Sequence, residues 1–256
     1  MTVEPPSDYL GGVEVPEANG GAVPVESGGT AGSLTDRIAA MVERSCAAVG
    51  EHDPHTARHL DQIGIVSGVV ARGLAGDAVV DLRSAELIEV LAPLHDLGKL
   101  ATPVRILRKP GRLDDDEWSI VRRHPVDGQL LARDLLGEVL AGELTREEQD
   151  EAELVVDLTR SIVELHHETL DGRGYPHGLT DAEIPVSARV VAVADVFDAL
   201  TAVRSYKEAW TTDDAVAELS RLVDTGRLDG RCVAVLERST DELEDRLRDA
   251  RPDRGV

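Results

Sequence analysis

The sequence predicts an all-α protein, and three observations support that fold class. The chain has 256 residues, of which 42% are hydrophobic, and this is enough for a sizeable buried core. It contains one Phe, two Trp and three Tyr, so Leu, Val, Ile and Ala must form most of that core, as they do between packed helices. From Ser33 onward the apolar residues recur at helical spacings, while the alternation typical of strands is scarce.

The predicted elements follow in chain order. Residues 1–32 are rich in Gly, Pro and Glu and lack a sustained apolar period, which predicts a disordered tail. The ordered domain is expected over residues 33–250 and opens with a helix capped by Ser33 or Thr35. The apolar residues of this first helix share one face: Leu34, Ile38, Met41 and Val42. Further helical patterns are predicted at about 54–75, 84–96, 114–140, 146–168, 186–203, 212–224 and 230–248.

The charge and the cysteine content exclude several classes of protein. A formal net charge of −22 argues against a protein that coats DNA, RNA or an anionic membrane, and any anionic ligand must therefore be held by local cations. Cys46 and Cys232 are too few for a disulfide framework and lack the spacing of a thiolate metal site. No targeting segment or membrane-spanning stretch is evident, so we expect a cytoplasmic protein. The acidic residues 142–153 are typical of an exposed helix start or an insertion.

Five segments place His or Asp where an apolar stripe ends. One histidine at a helix end is usually a cap or a hydrogen-bonded core residue, but burying many titratable groups is costly unless they share a partner. The groups are His52, His55 and His59; His95 and Asp96; His124; His166 and His167; and Asp195. Imidazoles and carboxylates without thiolates suit iron, manganese, nickel or zinc, and a carboxylate can bridge two such ions. A dinuclear centre of this kind activates water for attack on phosphorus or on a carbonyl carbon.

Cationic residues accompany these segments. Lys99, one turn beyond Asp96, either neutralises a phosphoryl oxygen or pairs with a carboxylate. Arg204, Tyr206 and Lys207 lie together after Asp195, where they either bind a phosphate and stack on a base or are simply the cations that a helix C-terminus favours.

The motifs resemble those of a known family when they are taken in order. "HDLGK" at 95–99, "HP" at 124–125, "HHETLDGRGYP" at 166–176 and "VADVFDALTAVRSYKEA" at 193–209 resemble the HD-GYP family, a branch of the HD superfamily of metal-dependent phosphohydrolases. The similarity covers residues 50–237. It implies an all-helical HD domain that hydrolyses the bacterial second messenger cyclic di-GMP to the linear dinucleotide pGpG, and in many members on to GMP.

The resemblance also implies roles for individual residues. Two divalent transition-metal ions, iron or manganese with nickel or zinc as alternatives, would be held by His59, His95, Asp96, His124, His166, His167 and Asp195. Asp96 would bridge the two ions and Lys99 would face the scissile phosphate. The residues that would contact the substrate phosphates, guanine and the site entrance are Arg204, Lys207, Tyr206 and Tyr175. Tyr175 belongs to the loop of Gly174, Tyr175 and Pro176.

The sequence departs from the family pattern in places, and two rival functions stay open. His55 stands where some members carry a Glu that holds a third metal, and Ser205 stands where Pro is usual. The gap between His124 and His166 is longer than the family pattern, which we attribute to residues 142–153. The rivals are an HD phosphohydrolase acting on another nucleotide or cyclic dinucleotide, and an inactive protein that senses cyclic di-GMP or docks a partner. A signalling partner would bind at the GYP loop or at 142–153, and regulation is expected from another protein or from expression because no receiver or sensor domain fits in the chain.

Overall fold

The structure is a computed structural model that describes residues 32–202 and 209–250, without the side chains of 54–58. Its α-helices are α1 (Leu34–His52), α2 (Pro54–Gly76), α3 (Leu82–Leu91), α4 (Val104–Leu107), α5 (Asp115–Val121), α6 (His124–Val139), α7 (Arg146–Leu165), α8 (Val186–Thr201), α9 (Thr212–Asp224), α10 (Gly230–Arg238) and α11 (Thr240–Asp249). Two 3-10 helices span Ala92–Ala101 and Asp181–Glu183. The described residues contain no strand, only an isolated bridge between Asp171 and Thr180, so the all-α prediction is confirmed.

The core is built around α2 and α8. Both helices are apolar on most of their faces, and such helices must be enclosed by other elements. α2 packs against α1, α3, α8 and α10, and α8 packs against α7 and α9 as well. The buried residues of these two helices include Leu60, Ile63, Val66, Val70, Leu74, Val190, Val191, Val193, Ala194 and Phe197. None of the described helices is both long and apolar enough to cross a membrane.

The caps explain how two helices begin. Ser33 caps α1, its hydroxyl accepting from the Asp36 amide at 3.2 Å, so of the two predicted caps the structure selects Ser33. Thr145 caps α7 in the same way with Glu148. The acidic segment 142–153 is therefore mostly the first turns of α7, where carboxylates interact favourably with the positive end of the helix dipole.

The predicted helix over 84–96 is wrong in its second half. α3 ends at Leu91, and residues Ala92–Ala101 form a 3-10 helix. Pro93 lies at the start of this segment and has no backbone N–H for the Glu89 carbonyl, so an α-helix cannot continue through it. A 3-10 segment of this length is uncommon, and it carries both His95 and Asp96.

The predicted continuous helix over 114–140 is also wrong, because it breaks at Arg122 and Arg123 into α5 and α6. Pro125 cannot donate to the Val121 carbonyl. The imidazole of His124 takes that acceptor instead, with Nδ1 2.8 Å from the Val121 oxygen. The break thus fixes the orientation of a predicted metal ligand.

The helix predicted over 230–248 divides at Ser239 into α10 and α11. The Thr240 hydroxyl donates to the Glu237 carbonyl at 3.4 Å and so competes with the backbone hydrogen bonds of a continuous helix. The short helix α4 and the 3-10 turn Asp181–Glu183 were not predicted. The other predicted helices match the observed bounds to within three residues.

Candidate metal centre

Side chains from α2, α6, α8, the first 3-10 helix and the residues after α7 converge on one cluster. It contains two groups in which one ligand atom of each residue lies within 4.8 Å of the others. The first group is Asp96, His124, His166 and His167, and the second is His59, His95 and Asp96. Asp195 lies beside the second group, with Oδ1 3.4 Å from Nε2 of His59.

Asp96 belongs to both groups, and its two carboxylate oxygens point to different ones. Oδ1 lies 3.4 Å from Nε2 of His124, whereas Oδ2 lies 3.3 Å from Nε2 of His95 and 3.9 Å from Nε2 of His59. The residue is 3% exposed, so water cannot compensate its charge fully. A carboxylate placed between two sets of imidazoles has the arrangement that a bridge between two cations requires.

Backbone contacts orient the imidazoles. Nδ1 of His124 faces the Val121 carbonyl, and Nδ1 of His166 faces the carbonyls of Ile162 and Val163 at 3.0 and 3.1 Å. Because a carbonyl only accepts, Nδ1 donates in both rings and Nε2 carries the lone pair. The two Nε2 atoms lie 3.4 Å apart. Two lone pairs at this distance repel each other unless a cation shares them, so the donor set fits a metal ion.

The pKa shifts favour the protonation states that bind metals. Burial lowers the pKa of His124 to about 4, and burial together with His124 lowers the pKa of His167 to about 3. Burial opposes ionisation of Asp96, but the charges of Lys99 and His95 outweigh it and hold the pKa of this carboxyl well below its usual range. At neutral pH, the imidazoles of His124 and His167 are therefore neutral and the Asp96 carboxylate is ionised, which is the combination a divalent metal needs.

His59 is held differently from the other histidines. Its Nδ1 lies 2.6 Å from Oδ2 of Asp198, a buried carboxylate 3% exposed. Burial lowers the pKa of His59, but the hydrogen bonds to Asp195 and Asp198 outweigh burial and raise the pKa to about 10. A metal held by Nε2 would take the place of the proton there, and Asp198 would still orient the ring through Nδ1.

The loop after α7 closes one side of the cluster. The Tyr175 ring stacks on His167, with centroids 4.6 Å apart and an interplanar angle of 25°. The Arg122 guanidinium lies 4.6 Å from the centroid of the same tyrosine ring. Burial and the nearby carboxylates Asp195 and Asp96 raise the pKa of Tyr175, so its phenol stays protonated at neutral pH.

Glu168 organises the backbone of this loop from beneath. Its side chain is 3% exposed and accepts from the amides of His177, Gly178 and Leu179 at 2.7, 3.1 and 3.0 Å. An ionised carboxylate with three amide donors is a strong acceptor for loop backbone. Glu168 therefore fixes the segment that follows Tyr175 and Pro176.

Replacing Glu168 by glutamine should loosen the loop without unfolding the domain. The amide loses the negative charge and turns one N–H group toward amides that need acceptors, a cost of about 1–3 kcal/mol. Faster hydrogen exchange at His177, Gly178 and Leu179 is the expected result. Glu153→Gln, at an exposed carboxylate on α7 outside this loop, serves as the control. Unchanged exchange in Glu168→Gln would contradict this role.

The remaining predicted site residues have mixed outcomes. Lys99 pairs with Asp96, its Nζ 2.6 Å from Oδ2 of that carboxylate. Arg204, Tyr206 and Lys207 lie outside the described residues, as does the side chain of His55.

Three residues of the site were not identified from the sequence, namely Asp198, Glu168 and Arg122. Asp198 follows Asp195 by three residues and so shares its helix face, and Glu168 stands in the motif at 166–176, whereas no signal in the sequence indicated Arg122.

Comparisons with known proteins agree with this geometry. The family model described as "HD domain" matches residues 33–232. A cyclic di-GMP phosphodiesterase response regulator, RpfG, of Xanthomonas campestris pv. campestris (strain 8004) is 40% identical over 82% of this chain and 50% of its own length. A cyclic di-GMP phosphodiesterase of Thermotoga maritima is 36% identical over 66% of the chain and 41% of its own length. A 3'3'-cGAMP-specific phosphodiesterase 2 of Vibrio cholerae is 34% identical over 74% of the chain and 31% of its own length.

The chain thus spans half or less of the length of these relatives. The family match nevertheless covers most of the described helices and all of the converging side chains. An HD domain implies divalent-metal binding, and the cluster supplies His and Asp side chains of the kind that bind such ions. The motifs, the helical fold and the relatives agree that this chain belongs to the HD-GYP branch of the HD domain family.

Proposed function

We propose that this protein is a metal-dependent phosphodiesterase that hydrolyses cyclic di-GMP to pGpG in the cytoplasm. The observation that carries the proposal is Asp96, whose two oxygens face two separate groups of imidazoles. The names of the relatives from Xanthomonas campestris and Thermotoga maritima support cyclic di-GMP as the substrate.

In this proposal the cluster holds two divalent ions. Asp96, His124, His166 and His167 hold one of them, and His59, His95, Asp96 and Asp195 hold the other. Iron or manganese suits this set of nitrogen and oxygen donors, with nickel or zinc as alternatives. When bound, such ions polarise the scissile phosphoryl group and activate water for attack on phosphorus.

Other residues of the chain position the substrate. Lys99 donates one hydrogen bond to Asp96 and has two further N–H donors for a phosphoryl oxygen. The phenol of Tyr175 stays protonated and donates a hydrogen bond to a non-bridging phosphate oxygen above His167. For Arg204, Tyr206 and Lys207 the support is the sequence motif alone, and we assign them to the phosphates and guanine.

The test is metal analysis of anaerobically purified protein, followed by chromatography of the products formed from cyclic di-GMP with Mn²⁺ or Fe²⁺. We expect about two metals per chain and pGpG as the first product. Metal without turnover of cyclic di-GMP would contradict the substrate assignment. Neither metal nor turnover would favour the inactive sensing or docking protein.

A second substrate, 3'3'-cGAMP, is favoured by the Vibrio cholerae relative that bears its name. The metals act on phosphorus, so the site rim must distinguish the bases. Comparing kcat/KM for the two cyclic dinucleotides decides between them, and a preference for 3'3'-cGAMP would replace cyclic di-GMP in the proposal.

Replacing Asp198 by asparagine should weaken metal binding on the His59 side. Asparagine keeps the shape but removes the charge that orients and polarises the ring, a loss typical of about 10- to 100-fold in metal affinity. Titration with Mn²⁺ should show one ion bound with lower affinity and one bound with unchanged affinity. Asp213→Asn, at an exposed carboxylate on α9 outside the cluster, serves as the control. Equal affinity in wild type and Asp198→Asn would contradict the role of Asp198.

A further inference from the structure

The exposed arginine Arg122 lies beside the cluster and has no role in the function proposed so far. It ends α5 at the break before His124. Its guanidinium carbon lies 4.6 Å from the Tyr175 centroid, and the same tyrosine ring is stacked on His167 at the same centroid distance. Arg122 and an imidazole of the cluster therefore contact the same aromatic ring.

Arg122 differs from the neighbouring cations in its partners. Lys99 is paired with Asp96, and Arg123 is paired with Asp127 at 3.3 Å. In the part of the chain that the structure describes, no carboxylate pairs with Arg122. Four other exposed arginines likewise have no carboxylate partner among the described residues, namely Arg44, Arg105, Arg112 and Arg160. What distinguishes Arg122 is therefore its position against the Tyr175 ring beside the cluster.

The stacked geometry leaves the donors of Arg122 available. A guanidinium that lies against an aromatic face uses its π surface for that contact, while its N–H groups point outward in the plane. The planar fork of these donors matches two oxygens of a phosphate. Stacking also restricts the side chain, so less conformational entropy is lost when a ligand binds.

A cyclic dinucleotide carries two phosphodiester groups, and only one can lie at the metals during a cleavage step. The second negative charge must be held elsewhere, against the repulsion of a chain with net charge −22. We propose that Arg122 is a substrate-binding residue that holds the phosphodiester that is not being cleaved. This inference rests on the proposed function, because it takes the cyclic dinucleotide as the ligand.

The test compares a substrate with two phosphodiesters and a substrate with one. Arg122→Met removes the charge and keeps an apolar contact to Tyr175, and Arg123→Met is the matched control on the adjacent, paired arginine. Each metal-loaded variant is assayed with cyclic di-GMP and with bis(p-nitrophenyl) phosphate. Its affinity for a non-hydrolysable phosphorothioate analogue of cyclic di-GMP is measured separately.

We expect Arg122→Met to raise KM for cyclic di-GMP and Kd for the analogue by at least about tenfold, since a charge-assisted contact is lost. The loss of kcat/KM on bis(p-nitrophenyl) phosphate should be several times smaller. Arg122→Lys should restore part of the affinity, because a point charge replaces the planar fork. Arg123→Met should match the wild type on both substrates.

Two results would overturn the inference. Equal losses on both substrates would mean that Arg122 only supports Tyr175, and an unchanged KM and Kd would mean that it does not bind the substrate. The affinity measurement distinguishes a failure of this inference from a failure of the proposed function. The wild type could bind the analogue without hydrolysing cyclic di-GMP while Arg122→Met fails to bind the analogue. That result would support the role of Arg122 and reject the enzymatic activity. A wild type that neither binds nor hydrolyses would reject both.

Discussion

Replacing Asp96 by asparagine should remove both metal ions and lower phosphodiester hydrolysis by at least about a thousandfold. Oδ1 of Asp96 faces His124 and Oδ2 faces His95 and His59, so one substitution affects both groups of ligands. An amide presents one acceptor and no charge, and it cannot bridge two cations. Elemental analysis and product chromatography measure the two losses.

A buried partner complicates this experiment. Lys99 is 13% exposed and pairs with Asp96, and removing one member of a buried ion pair costs about 3–5 kcal/mol in stability. Circular dichroism must therefore show that the variant is still helical at the assay temperature. Asp134→Asn, at an exposed carboxylate paired with Arg133, is the matched control and should retain two metals.

A second variant keeps the bridging role testable if Asp96→Asn fails to fold. His124 belongs to only one of the two groups, so His124→Ala should lose one metal ion and retain the other. Two metals retained in Asp96→Asn, or both metals lost in His124→Ala, would contradict the bridge.

The sequence predicted the helical fold and the members of the cluster for related physical reasons. Apolar residues at helical spacing define the buried stripes, and a His or Asp at the end of such a stripe is out of place unless a partner compensates it. His95 with Asp96 and His166 with His167 were identifiable on that basis. Their roles as ligands stay predictions, because proximity of donor atoms does not by itself measure metal binding.

Features that depend on contacts between distant segments could not be predicted. The helix breaks follow from Pro93 and Pro125, but periodicity alone passes over them since the apolar spacing continues. Glu168 belongs to the motif at 166–176, but the sequence does not indicate which backbone amides it binds, and Arg122 looks like an ordinary charged residue. Glu168 is distinguished by a loop that turns back over it, and Arg122 by a tyrosine more than fifty residues later that lies under its guanidinium.

The first 3-10 helix approaches α6 so closely at Gly98 that a substitution there should have a large effect on stability. A Cβ placed on Gly98 would lie 1.8 Å from the carbonyl oxygen of His124 and 2.5 Å from the amide nitrogen of Gly128. Both neighbours are backbone atoms, so a rotamer change cannot relieve the clash. Gly98→Ala should therefore lower the free energy of unfolding by about 3 kcal/mol or more, the upper range for overpacking.

The same substitution should also disturb the cluster, because the two elements carry Asp96 and His124. Any separation of the 3-10 helix from α6 lengthens the 3.4 Å distance between Oδ1 of Asp96 and Nε2 of His124. Gly137→Ala is the control: it lies in α6 with nothing within 4 Å of the added Cβ, and should raise stability by about 0.5–1 kcal/mol. Urea unfolding and metal analysis measure the two effects. Metal loss in Gly98→Ala at a temperature where its helical content equals that of the wild type would mean that this backbone contact sets the spacing of the metal ligands. Full metal content in a destabilised variant would mean that Gly98 matters for stability alone, because the cluster would then tolerate the displacement of its two supporting elements.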